Sequence, residues 1–207
     1  MDPQEAIAGV VLAGGESKRF GTDKASAVLA GRTLLQWVVS AMEANCAEIV
    51  IAAAAGQPLP PVAAAVPVSV VRDARPGLGP LAGLVQGLAA VRAPLCLVAS
   101  CDAPLLQLAL VEPLLGRLLG SDAARFEVNG RPQPLPVLVR REVCLPALAS
   151  ALDQQVLKLA AAFTGLKIAV VEEAEARRID PALESFINVN TPADLARAAA
   201  LVAARTA

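Results

Sequence analysis

Three stretches of this 207-residue chain carry side chains that could do chemistry, and each follows an apolar run. "VVLAGGESKRFGTDKA", Val10 to Ala25, runs four apolar residues into Gly14 and Gly15, then Lys18, Arg19, Gly21 and Lys24. Glycine permits positive φ and close approach of the backbone to a ligand. Successive exposed N–H groups in such a turn bind phosphate oxygens, and Arg19 and Lys24 would add charge against a polyphosphate. "RDARPGLGPLAG", residues 72–83, sets Asp73 at the end of an apolar run, with Gly77, Gly79 and Gly83 behind it. "SCDAP", residues 100–104, leaves Asp102 alone at the end of another. Each stretch has a plain alternative: a solvated basic turn, a Gly/Pro turn beside a solvated carboxylate, and a helix-capping Asp. Together they suggest a nucleoside triphosphate with Mg²⁺, an ion held by one or two carboxylates plus substrate phosphates. The glycine spacing fits neither G-x-G-x-x-G nor the P-loop.

Composition excludes other chemistries. The chain has no His, which rules out a Ser-His-Asp triad, an imidazole base and His-ligated zinc. Cys46, Cys96, Cys101 and Cys144 form no CxxC pair, so they read as reduced, mostly buried thiols. A net charge of −1 with 56% apolar residues gives no basic excess for nucleic acid and enough apolar side chains for a large core. Tyr is absent and there is one Trp, so Ala, Val and Leu must fill that core. "MDPQEAIAG" has no basic region followed by an apolar one. No apolar run reaches the roughly 18 residues of a membrane span. A cytoplasmic protein without membrane partners is expected.

The elements that must position these residues alternate. Strands are expected over 7–13, 48–53, 66–71 and 94–100, each short and apolar. "TLLQWVVSAM" places Leu34, Leu35, Val38, Val39 and Met42 on one helical face, and "PLAGLVQGLAAV" does so with Leu81, Leu84, Val85 and Leu88, Pro80 standing in its first turn. "LVEPLLGRLL" (110–119) reads as helical, with Pro113 in its first turn. Two strand-like runs flank the turn dipeptide Asn129-Gly130, and "KIAVVEE" (167–173) is a further strand candidate. A last helix starts at "NTPADL", with Thr191 as N-cap, Pro192 first and Asp194 three residues on. The order argues α/β with a mostly parallel sheet, whose sites gather at the carboxyl ends of the strands. A single domain over 1–207 is expected.

At this point "LAGGESKRFGTDKA" resembles the LAGGxSxRMGxDKA signature of molybdenum cofactor guanylyltransferases, which belong to a wider group of nucleotidyltransferases. "GPLAGLVQGL" (79–88), "SCDAPLL" (100–106), "QPLPVLVRRE" (133–142) and "FINVNTPADL" (186–195) resemble further blocks of that family, in order along nearly the whole chain. The departures are Phe20 for Met, Gln133-Pro134 where some members have "HP", and "AAAAG" at Ala52–Gly56 where guanylyltransferases carry Asn.

The resemblance implies a Rossmann-like three-layer αβα fold, with a nucleotide-binding half over about 1–105 and an acceptor-binding half over about 106–207. It implies transfer of GMP from GTP to the phosphate of molybdopterin, with release of pyrophosphate. Leu12, Ala13, Gly14 and Gly15 would line the nucleotide and Lys24 would touch its phosphates. Asp73 would help hold the nucleoside, and Asp102 would bind Mg²⁺. Arg19 would steady the pyrophosphate, and Asn188 and Asn190 would face the acceptor. The implied partners are GTP, molybdopterin and other cofactor-biosynthesis or molybdoenzyme-maturation proteins. With no side chain at Ala52–Gly56 to read a base, that task would fall to backbone groups. CTP, a sugar or alditol phosphate acceptor, and a non-catalytic nucleotide-binding role stay open.

Overall fold

The computed structural model describes residues 6–14, 23–73, 79–156 and 158–206; the side chains of Asp73 and Thr206 lie outside that description. Strand β1 (Ile7–Leu12) is buried at every position. A 3-10 turn (Lys24–Ser26) and a two-residue hairpin, β2 (Val28–Leu29) with β3 (Arg32–Thr33), lead to helix α1 (Leu34–Met42). Thr33 caps α1, its side-chain oxygen accepting from the Gln36 N–H. Strands β4 (Glu48–Ala54) and β5 (Val68–Asp73) follow, then α2 (Gly79–Ala90) and β6 (Leu95–Ser100). The rest comprises α3 (Val111–Arg117), β7 (Ala123–Val128), β8 (Arg131–Arg140), α4 (Arg141–Asp153), α5 (Leu159–Ala162), β9 (Ile168–Val171), α6 (Glu173–Ile179) and α7 (Pro192–Thr206).

The main sheet runs β5-β4-β1-β6-β8-β7-β9. Its pairs are parallel except those of β8, which lies antiparallel to β6 and β7. One face packs Val38, Val39 and Met42 of α1 and Leu114 of α3. The other packs Leu81, Leu84 and Leu88 of α2 with Leu148 and Leu152 of α4. Buried on both faces, the central strands need continuous apolar runs, which is why they were readable. A Cβ at Gly87 would stand 2.4 Å from Val10 Cγ1, so α2 lies close on β1 only because that position has no side chain. A smaller cluster joins Leu29, Leu34 and Leu105 to Val189, Ala198 and Val202, tying α7 to the hairpin.

After β1 the chain builds outward through β4 and β5, then returns to the other side of β1 with β6. The carboxyl ends of β1 and β6 therefore border the point where strand order reverses, the usual crevice for a ligand in an open α/β sheet.

Candidate active site

Register decides which side chains meet at that crevice. Leu12 lies opposite Ser100 of β6 and Ala52 of β4. The Cys101 N–H donates to the Leu12 carbonyl at 3.0 Å. Asp102 thus leaves β6 at the level where Gly14 leaves β1. Between these ends opens a cavity of about 350 Å³, lined by Leu12, Ala13, Gly14, Lys24 and Asp102 on the side of β1 and β6. Its opposite wall carries Gln133, Leu135, Leu159, Phe186 and Asn188. That wall exists because β8 pairs with β6 only over Val137–Arg140. The earlier half of β8, with Pro132, Pro134 and Pro136, makes no pair with β6, so the missing N–H groups cost no rung on that side.

Lys24 and Asp102, 78 residues apart in sequence, meet here. Lys24 Nζ lies 3.4 Å from Asp102 Oδ2, the two side chains being 20% and 18% exposed. Lys24 Nζ also donates to Asn190 Oδ1 at 2.5 Å. The Val189 N–H donates to the Asp102 carbonyl at 2.7 Å, pinning the segment that carries Asn188 and Asn190 onto Asp102. Asp194 Oδ2 accepts from the N–H groups of Asn190 and Thr191 and from the Thr191 hydroxyl, and the Asp194 N–H donates to Thr191 Oγ1. This is the expected capping box of α7, and it also holds Asn190 in place. The Thr191 hydroxyl, first among these donors, keeps the Asp194 carboxyl below its ordinary range. Beside Asp102, burial pushes the Cys101 thiol up to about 12, so it is neutral. Asn190 was expected on the acceptor side with Asn188; Asn188 does line the cavity, but Asn190 reaches across to the Lys24 ammonium.

The backbone donors at the end of β1 are engaged within the sheet. The N–H groups of Ala13 and Gly14 both donate to the Ala52 carbonyl, at 2.8 and 3.1 Å. A Cβ on Gly14 would lie 3.2 Å from the Ala54 nitrogen, so the turn packs tightly against the end of β4. The helix-capping alternative for Asp102 finds no support: among the described residues its carboxylate accepts from Lys24 and from no backbone N–H. Asp73 closes β5 opposite Ala54; its side chain lies outside the description. Gly15, Lys18, Arg19, Phe20 and Gly21 of the first motif, and Gly77, lie outside the described residues.

One residue was missed. Gln57, just past the apolar run Ala52–Ala55 and Gly56, folds its amide back over the end of β1. Its Nε2 donates to the Ala13 carbonyl at 3.0 Å and to Asp23 Oδ1 at 2.8 Å. Among the described residues there is no cluster of three or more His, Cys, Asp or Glu that could hold a metal. Asp102 is a single half-buried carboxylate at the cavity wall, a donor suited to a hard cation that brings further oxygen ligands of its own.

A mostly parallel αβα sheet, with a cation and a carboxylate converging on a cavity at its switch point, defines a phosphate-handling α/β enzyme. Residues 9–180 match the model of the MobA-like NTP transferase domain, and the chain belongs to that family of nucleotidyltransferases. Proteins of Mycobacterium bovis and Mycobacterium tuberculosis, each named probable molybdenum cofactor guanylyltransferase, are 36% identical over 186 residues, covering 85% of this chain and 90% of their own. A protein of the same name from Mycobacterium marinum is 34% identical over 198 residues, covering 92% of each chain. The crystal structure of molybdopterin-guanine dinucleotide biosynthesis protein A from Archaeoglobus fulgidus is similar with a TM-score of 0.74 at 25% identity, covering 95% of this chain and 99% of that one. A cytidylyltransferase from Thermus thermophilus acting on 2-C-methyl-D-erythritol 4-phosphate shares the fold, with a TM-score of 0.72 at 23% identity, covering 96% of this chain and 99% of that one. Among the described residues no helix is long and apolar enough to cross a membrane.

Proposed function

We propose that this chain transfers GMP from GTP to the phosphate of molybdopterin, forming the guanine dinucleotide cofactor and releasing pyrophosphate. The observation that carries this reading is the convergence of Lys24 and Asp102, 3.4 Å apart, on the cavity beside Gly14. The names of the mycobacterial and archaeal relatives support the choice of base and acceptor. In this reading residues up to about 105 hold the nucleotide against Leu12, Ala13, Gly14, Gly15 and Asp73. The remainder holds the acceptor against Asn188 and the apolar wall. The reaction is expected to run in the cytoplasm.

An acceptor phosphate oxygen attacks the α-phosphorus in line, and the bond from that phosphorus to the α,β-bridging oxygen breaks as pyrophosphate leaves. The acceptor phosphate is already ionised, so no general base is needed, which suits a chain without His. Lys24 releases its contacts to Asp102 and Asn190 and turns its ammonium to the phosphoryl oxygens. Arg19, by its place in the motif, adds charge at the leaving group. Asp102, once Lys24 has moved, would hold Mg²⁺ together with the substrate's phosphates. Bound there, the ion supplies positive charge against the developing negative charge of the transferred group. Leu135, Leu159 and Phe186 keep water from the acceptor side.

A second reading keeps the reaction and changes the base. Ala52–Gly56 offers no polar side chain, and both Gln57 Nε2 protons are already donated. A thermal-shift panel of GTP, CTP, ATP and UTP with Mg²⁺ separates the two, because ligand binding to the native state raises apparent stability by mass action. GTP is expected to give the largest shift. A larger shift with CTP would overturn the guanine assignment and leave the nucleotidyltransferase.

A further inference from the structure

Gln57 makes more contacts than a loop residue needs. Its Oε1 accepts from the Ala54 N–H at 3.0 Å, while Nε2 donates to the Ala13 carbonyl and to Asp23 Oδ1 at 3.0 and 2.8 Å. Only one orientation of the amide satisfies all three partners. The backbone around it is braced as well. The Gln57 N–H donates to the Ala54 carbonyl at 3.2 Å, and Arg72 of β5 donates to the carbonyls of Gln57 and Ala54 at 2.7 and 3.2 Å. One side chain thus joins the end of β1, the end of β4 and the residue immediately before Lys24.

Asp23 supplies an independent sign. It stands at the N-cap of the turn Lys24–Ser26, where an Asp carboxylate ordinarily accepts from its own turn's N–H groups. Here it makes no such cap bond. Its Oδ1 is turned to Gln57 instead, and among the described residues Oδ2 accepts only from the Ser26 hydroxyl, at 3.4 Å. The carboxylate spends one oxygen on Gln57 rather than on its turn's N–H groups, and so anchors that turn on the sheet.

We infer that Gln57 is a positioning residue, which through Asp23 fixes the distance between the Lys24 ammonium and the turn at the end of β1. This rests on the proposed function, in which Lys24 meets the phosphates and Ala13–Gly14 the nucleoside. One amide sets the separation of the two parts of the nucleotide site without touching substrate. Its loss costs affinity for the triphosphate and spares the acceptor.

The test uses the full chain with Gln57→Leu, Gln57→Glu and the swap Gln57→Glu/Asp23→Asn. In the swap the amide introduced at position 23 can donate to the carboxylate introduced at position 57, which still accepts from Ala54; only the Ala13 carbonyl loses its donor. Calorimetry gives the affinity for Mg-GTP, steady-state rates give the two KM values, and thermal melting reports the fold. Gln57→Leu is expected to weaken Mg-GTP by about tenfold, the scale of one lost hydrogen bond to a charged partner. KM for the acceptor should hardly move, while the melting temperature should fall by a few degrees as the three ties are lost. Gln57→Glu should bind worse than the swap, because it sets two carboxylates together and the swap does not. A lower melting temperature with unchanged Mg-GTP affinity would make Gln57 a mere loop tie and overturn the inference. So would a swap that binds no better than Gln57→Glu, a comparison that holds even if Gln57→Leu fails to fold. A wild-type chain that binds GTP, beside a folded Gln57→Leu that binds it equally, overturns the inference alone. A wild-type chain that binds none of the four triphosphates overturns the proposed function and the inference with it.

Discussion

Lys24 and Asp102 neutralise one another across 3.4 Å, each still partly open to the cavity. Such partly exposed pairs add at most about 1 kcal/mol to stability, so their removal should show in chemistry rather than in folding. Asp102→Asn keeps the shape and loses one negative charge. Turnover is expected to fall by at least about a hundredfold, the scale of removing one electrostatic stabiliser, with the melting temperature nearly unchanged. Near-wild-type turnover at saturating Mg²⁺ would show that the carboxylate holds no metal. Lys24→Met should weaken Mg-GTP in calorimetry and leave the circular dichroism spectrum alone; equal binding would reduce the basic loop to a solvated turn. Cys101 lines the same cavity, but burial pushes its thiol up to about 12, so the thiolate that reacts is scarce. Iodoacetamide at about pH 8 should leave activity intact; rapid inactivation would contradict that burial. Asp102 was legible as a candidate because a strand end announces itself in sequence, and Lys24 because it closes the basic, glycine-studded run after β1. Gln57 was not, since its amide acts on residues 44 and 34 positions away. Nor was the bond from Lys24 to Asn190, which spans 166 positions.

The elements that carry these residues depend on a few close contacts. Gly87→Ala would place a methyl 2.4 Å from Val10 Cγ1, and Val10 is β-branched on a fully buried strand. Overpacking of this kind costs about 1–3 kcal/mol, against at most about 1 kcal/mol gained in helix propensity. The variant should unfold at lower denaturant concentration, and Val10→Ala in the same chain should recover part of the loss. Equal or greater stability of Gly87→Ala alone would show that α2 can move away from β1 freely. The capping box Thr191–Asp194 was readable from its spacing. So was the turn at Asn129 and Gly130, whose φ values of 53° and 65° are those a two-residue hairpin requires. Helix α4 went unread because Pro146 interrupts it and Cys144, Leu148 and Leu152 bury only a narrow stripe. Helix α6 went unread because four of its seven residues are charged and it buries only Ala176, so it shows no apolar stripe; the Glu173–Arg177 pair at 2.7 Å lies on it. The antiparallel place of β8 is likewise a matter of long-range pairing, which periodicity does not encode.

The whole molecule has an unusual titration profile. Without His, no side chain of ordinary pKa changes charge between about pH 6 and 8, and the melting temperature should be flat there. Burial raises all four thiols from an ordinary 9.0 to about 12. Below about 9 both folded and unfolded chains keep those protons; above it the unfolded chain loses protons that the folded one retains, so stability falls as pH rises from about 9 to about 12. The carboxyls of Asp194 and Glu173 are held low, first by the Thr191 hydroxyl and the Asn129 N–H respectively. What they add is present above the ordinary carboxylate range and lost as pH falls below it. Thiol absorbance appearing in the folded protein near pH 9 would contradict the buried state of the cysteines. None of this reaches the central claim, which is that the crevice between β1 and β6 joins a nucleotide to an acceptor phosphate. The direct measurement is incubation of the purified chain with GTP labelled at the α-phosphate, molybdopterin and Mg²⁺, followed by separation of the products. Label transferred to a molybdopterin dinucleotide, with one pyrophosphate released for each transfer and none without acceptor, is the expected result. Label remaining in GTP while the protein is folded and saturated with both ligands would contradict it.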